Sequence, residues 1–252
     1  MSATLGFAGK VVVVTGAGSG LGRELCKSFC AAGATVIGLG RSMPRLQETS
    51  DYVANASYSC FALDVSDATQ VRKGMDTIIS RFHRVDVLFN NAAVYPRLGF
   101  MDESPEMFRQ VIDINVTGVA VMCKAVLPHM IAQGYGRIFN VGSWADKNPI
   151  PKSAAYSASK GAIHALTKGI SADVAPLGLD IEVHEWIPAH MNTSMSDFTG
   201  MHPGIPASWA LDIATRVHPT HSSKIYEGRE VWQPPKRLVG RIKSKLRFWK
   251  RS

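Results

Sequence analysis

The chain has 252 residues, 46% of them apolar, which fits one well-cored domain and excludes a disordered chain or a multi-span membrane protein. Lys and Arg number 28 against 20 Asp and Glu, a formal +8, but eight bases and no acid fall in residues 236–252, leaving 20 of each sign on residues 1–235. A neutral body excludes a nucleic-acid groove running over it and confines the charge question to the tail.

In chain order, the first strong apolar run, 11–14, is four residues long and follows no charged leader, so neither a secretory signal nor a transmembrane helix is expected. Short β-branched runs then alternate with amphipathic segments. Strands are predicted at 10–15, 35–40, 86–90, 136–142 and 180–187, with helices at 22–32, 68–82, 105–133 and 154–177. Uninterrupted Val and Ile runs suit strands buried on both faces, and the intervening helices imply right-handed crossovers. The expected fold is α/β: a doubly wound parallel sheet, Rossmann-like, in a single domain over 1–235 with a C-terminal basic amphipathic extension. Residues 192–208 lose any clear period, so the segment 190–208 reads as a substrate loop or lid, and a last strand is expected at 225–232. Cys26, Cys30, Cys60 and Cys123 show no paired ligand spacing and read as free thiols of a reducing cytoplasm.

Three motifs bear on chemistry. Gly16, Ser19, Gly20, Leu21 and Gly22 fall between the first strand and the first helix, where glycines admit a tight turn and backbone N–H groups can meet a pyrophosphate. The second strand ends at Gly40 and Arg41, without the carboxylate that would bind a ribose 2′-hydroxyl. A guanidinium in that place favours NADP(H), with NAD(H) the second choice. Asp64, Val65 and Asn90, with the alanines Ala92 and Ala93, lie near further strand ends, where ligands of open parallel sheets bind. The third motif is Ser143 followed by Tyr156 and Lys160, four apart and on one helical face. A phenol titrates near pH 10, so it needs a nearby cation to act as a base at neutral pH, and Lys160 supplies one. His184 and His190 show no partner set with metal-ligand spacing, so no metal is expected.

Together these residues resemble the short-chain dehydrogenase/reductase family in its single-domain branch of about 250 residues, over residues 8–193. The resemblance implies a tetrad. Tyr156 would be the general acid/base, Lys160 would hold the nicotinamide ribose and lower the tyrosine pKa, Ser143 would orient the substrate oxygen, and Asn115 would position a water in a proton relay. Thr193 falls where a family threonine touches the cofactor carboxamide. The reaction implied is hydride transfer between nicotinamide and a carbonyl or secondary alcohol. Three departures stand out. Ala93 replaces a glycine. Ala189 replaces another, and would be strained if that position needs positive φ. The family's terminal Asp-Gly-Gly segment is missing, which weakens the basis for a tetramer within the implied homo-oligomer, dimer or tetramer. A sugar epimerase or dehydratase is disfavoured for want of an added substrate domain, and the competing reading is a catalytically silent dinucleotide-binding sensor or scaffold acting through its tail.

By position, Tyr95, Trp144, Asn148, His190 and Met191 face the substrate, with Met195, Phe198 and Met201 from the lid, unless several of these only pack the lid onto the body. Trp144 joins Ser143 and Tyr156 as the principal substrate contacts. Written as a helix, 238–249 gathers Leu238, Val239, Ile242, Leu246 and Trp249 on one side and the bases on the other. Such a tail suits an anionic membrane surface, packing on this chain or a second copy, or an acidic partner. A cytoplasmic enzyme, peripheral at the inner face of a membrane, is the corresponding location.

Overall fold

The computed structural model describes residues 6–216, 218 and 223–234. The strand β1 (Val11–Thr15) is buried throughout. Its side chains alternate between two cores: Val12 and Val14 enter one, Val11 and Val13 the other. On the first face α1 (Gly20–Ala31) contributes Leu21, Leu25 and Phe29. On the second, α3 (Ala68–Phe82) contributes Val71, Met75 and Ile78. A strand must be apolar on both sides to sit between two helical layers, and this one is.

The remaining strands are β2 (Thr35–Gly40), β3 (Tyr58–Ala62), β4 (Val87–Asn90), β5 (Tyr135–Val141), β6 (Asp180–Ile187), β7 (Ile225–Glu227) and β8 (Glu230–Val231). They form one sheet in the order β3-β2-β1-β4-β5-β6-β7-β8, parallel except for the β7–β8 hairpin. The order reverses between β1 and β4, which opens a crevice at the C-terminal strand ends. The doubly wound expectation holds.

Local differences have physical reasons. The helix α2 (Met43–Val53) was not predicted because it buries only Leu46 and Thr49 and so shows almost no apolar stripe. Neighbouring β3 is an edge strand, mostly half-buried. The stretch 105–133 is interrupted: α4 (Pro105–Ile112) passes into a π-helical turn (Asp113–Thr117) before α5 (Gly118–Gln133). An 18-residue window of that stretch has a mean hydropathy of 1.6, and the stretch is long and apolar enough, by length and composition only, to cross a membrane. Here Met122, Val126 and Met130 pack it against the sheet core. The helix α6 (Ala154–Val174) follows the β5 loop, and α7 (Gly204–Thr215) begins where the lid was expected still to be irregular. Ala207, Ala210 and Ile213 of α7 pack beside α1, which explains an apolar helix without a clear polar face. The expected last strand is a hairpin turning at Gly228, whose φ is +59°.

Candidate active site and cofactor cleft

The crevice is a cleft of about 1300 Å³ that runs from the β1–α1 turn to the lid. Gly16 turns with φ +67°, and a Cβ there would fall 2.9 Å from the Ala92 Cα. A Cβ on Gly22 would fall 2.2 Å from the Gly16 carbonyl oxygen, so Gly22 works beneath the turn and does not line the cleft. Asn91 braces the same turn. Its Nδ2 donates to Thr15 O at 2.9 Å, and the Asn91 and Ala92 N–H groups donate to Thr15 Oγ1 at 3.0 Å. Asn90, expected at the cofactor, is inside the protein instead: its Nδ2 donates to Asn140 at 2.8 Å and to Cys123 Sγ at 3.3 Å. Side chains alternate along a strand end, so of two adjacent asparagines only one reaches the crevice.

Gly16, Ser19, Gly20 and Leu21 all line the cleft. Ser19 stands at the N-cap of α1 without a side-chain capping bond, and the first turn holds no acid. The first N–H groups of that helix are thus left for an anion, and the macrodipole favours one. Arg41 and Arg45 line the same end, with Asp64 and Val65 close by. Asp64 Oδ1 accepts from Ser66 N–H at 2.9 Å and Ser66 Oγ–H at 2.7 Å. Glycines a Cβ would block, an uncapped helix start and two guanidiniums fit the pyrophosphate and adenosine end of a dinucleotide. Arg45 escaped sequence reasoning because only the helical path of α2 returns it beside Gly18, where a Cβ would meet the Arg45 Cβ at 3.0 Å.

Farther along the cleft, Ser143 follows β5 while Tyr156 and Lys160 come from α6. Burial pushes the Tyr156 hydroxyl up to about 12, although a hydrogen bond with Ser143 opposes the rise. Lys160 Nζ donates to Val141 O at 2.7 Å and lies 5.5 Å from the Tyr156 ring centre. Burial holds Lys160 down to about 8. The sequence led us to expect a depressed tyrosine pKa. In the structure the phenol is instead raised, because desolvation outweighs the opposing influence of Ser143. Asn115 lies behind these groups in the π-turn, buried and outside the cleft lining. Its Oδ1 accepts from Val94 N–H at 2.8 Å, and its Nδ2 donates to Val94 O at 3.0 Å and Ser159 Oγ at 3.1 Å. The Asn115 side chain thus braces the segment that carries Tyr95.

The segment that follows β6 crosses the cleft. Thr193 lines it, and a Cβ on Gly20 would lie 3.2 Å from Thr193 Cγ2. Trp144, Tyr95, Asn148, His190, Met191, Met195 and Phe198 also line it, whereas Met201 bridges back to Met191 and closes the lid loop. Trp144 Nε1 donates to Glu227 Oε1 at 2.8 Å. Tyr95 stacks on Tyr156 with ring centres 4.5 Å apart. Arg97 lies over the Tyr95 ring at 5.3 Å, donates to the Met195 carbonyl and pairs with Asp197. Arg97 had no signature in the sequence: it works by joining two loops 98 residues apart.

The family profile for short chain dehydrogenase matches residues 10–202. The chain belongs to the short-chain dehydrogenase family. With that membership comes the class of NAD(P)-dependent oxidoreductases. A Danio rerio dehydrogenase/reductase SDR family member 7B is 37% identical over 195 residues, covering 74% of this chain and 62% of that protein. The chain thus spans less than two thirds of that relative's length. A metagenomic short-chain oxidoreductase solved with NADP superposes with TM-score 0.78 at 25% identity, covering 88% of this chain and 98% of that one. NAD+-bound xylitol dehydrogenase superposes with TM-score 0.70 at 34% identity, covering 75% and 73%.

Two features of this short-chain dehydrogenase differ from expectation. Ala189 is not among the described non-glycine residues with positive φ, so the alanine there is unstrained. The structure also assembles a cluster that the histidine spacing hid. Glu182, His184 and His218 bring potential ligand atoms within 4.8 Å of one another. Their hydrogen bonds argue against a metal. Lys224 N–H donates to His184 Nδ1 at 3.1 Å, which leaves Nε2–H to donate to Glu182 at 2.9 Å. His218 Nδ1 is likewise 2.9 Å from Glu182, its Nε2 meets Tyr226 Oη at 2.9 Å, and buried Arg137 stands 3.8 Å from the carboxylate. The lone pair that a cation would need on each ring is already used.

Proposed function

We propose that this short-chain dehydrogenase is an NADP(H)-dependent carbonyl reductase or alcohol dehydrogenase with Tyr156 as its general acid/base. The observation that supports the reading is the convergence of Ser143, Tyr156 and Lys160 on the wall of the cleft that begins at the uncapped α1 helix. A bound nicotinamide supplies the hydride donor or acceptor. Tyr156 gives its proton to the substrate oxygen in reduction and takes it back in oxidation. Ser143 donates to the charge that develops on that oxygen. Lys160, charged below about 8, holds the ribose side and favours the phenolate. Asn115 fixes Val94, and through it the wall that Tyr95 forms.

The preference for NADP(H) rests on Arg41 and Arg45 lining the cleft and on the absence of an acid at the β2 end. The substrate is a medium-sized carbonyl or secondary alcohol with apolar flanks, matched to Trp144, Tyr95, Met195 and Phe198. The enzyme is cytoplasmic and a homo-oligomer, and residues 236–252, outside the described residues, hold it at an anionic membrane surface. The decisive measurement is NADPH consumption over a carbonyl panel. Tyr156→Phe should lose roughly 10²- to 10⁴-fold in kcat while still binding NADPH. Equal turnover in variant and parent sinks the mechanism. Arg41→Ala and Arg45→Ala should each weaken NADPH roughly tenfold or more and leave NADH nearly unchanged.

A further inference from the structure

One buried carboxylate beside the catalytic groups takes no part in that mechanism. Glu185 stands on β6 opposite Asn140 of β5 and is 3% exposed. Its Oε2 is 2.7 Å from His164 Nδ1. Its Oε1 fills the space that a side chain at position 142 would need: a Cβ on Gly142 would fall 2.2 Å from it. Lys160 Nζ bonds the Val141 carbonyl, so the ammonium and the carboxylate flank the same Val141–Gly142 peptide. Tyr156, Lys160 and His164 follow one another at four-residue spacing along α6 and share a face. The His164 side chain is 26% exposed and forms the outer end of the row.

A carboxylate taken out of water costs free energy unless a partner offsets it. Val183, Trp186 and Ile187 of the same strand are buried and apolar. We propose that Glu185, held in place by His164, is a positioning anion that keeps Lys160 charged and directed at the Val141 carbonyl, and so sets the alkaline limit of the reduction. The inference rests on the Tyr156/Lys160 reading above. The titratable groups facing Glu185 are Lys160 and His164 of α6 and Asp146 of the turn after β5, itself paired with Lys147 at 2.6 Å. Glu227 of β7 is engaged by the Trp144 indole. Burial pushes Glu185 up, His164 draws it back, Asp146 adds to the rise and Lys160 opposes it. For Lys160 burial acts downward, and Glu185 is the counterweight.

The test uses the full-length protein without cofactor and reads the Lys160 midpoint from lysine side-chain NMR, assigned with Lys160→Arg. Glu185→Gln keeps the shape and removes the charge. It should lower the midpoint by about one pH unit, and the alkaline limb of kcat/KM for reduction should move down with it. His164→Gln, which retains a donor, should shift both less than His164→Ala. A folded Glu185→Gln protein with an unmoved midpoint overturns the inference. If Glu185→Gln does not fold, His164→Ala decides: a downward shift supports the pairing and no shift removes it. A moved midpoint supports the inference even where Tyr156→Phe keeps turnover, a result that instead removes the Tyr156 assignment.

Discussion

A buried phenol under a second ring holds its proton, and Tyr156, pushed up to about 12, is ready to act as an acid before it is ready to act as a base. The two directions of the reaction should therefore differ in pH dependence. Oxidation, which needs the phenolate, should accelerate as pH rises, whereas reduction should fall once Lys160 loses its proton above about 8. Initial rates in both directions across pH check this, and parallel profiles would refute it. Ser143→Ala should cost roughly 10²- to 10³-fold in kcat with little change in Tm, because on the proposed mechanism Ser143 donates to the reacting oxygen, while its structural part among the described residues is the cap of one short turn through Ala145 N–H. Ser143, Tyr156 and Lys160 were legible in the sequence because their chemistry depends on short spacings. Asn91, Arg97 and Glu185 were not: each acquires its role from a segment distant in the chain that only the folded crossings bring near.

At the scale of elements, the β1–α1 turn and the β6 polar network make opposite demands. The turn needs empty space. Gly22→Ala would drive a methyl into the Gly16 carbonyl, and both lower Tm and weaker NADPH binding are expected. The network needs charge. Burial would raise Glu182, yet hydrogen bonds from His184 and His218 hold it at about 2, while burial lowers His184. Both groups have folded-state pKa values below their unfolded values, so their contribution is present at neutral pH and is lost on acidification. Loss begins as pH falls below about 6.5, through His184, and continues below about 4, through Glu182. Below about pH 4, Tm against pH should thus slope less steeply in Glu182→Gln, a variant less stable at neutral pH. Identical slopes would show that the network is electrostatically silent. The central strands and core helices were legible from their apolar runs. The elements α2, β3 and α7 were not, since an edge position or a helix wholly covered by neighbours leaves no periodic contrast to read.

For the whole molecule, the sequence separates a neutral body from a basic tail, and the described residues line a cleft that holds the candidate site. Removing residues 236–252 should leave kcat in solution unchanged and abolish sedimentation with anionic vesicles, a loss that added salt should mimic in the parent protein. Unchanged vesicle binding would refute the membrane role. The close approach of Thr193 to Gly20 has a kinetic meaning as well. On the proposed reading the segment after β6 overhangs the place where the dinucleotide phosphates would lie, so cofactor should enter before the substrate and leave after the product. Product-inhibition patterns should accordingly be those of an ordered sequence with the nucleotide first and last, and its release should limit the steady-state rate.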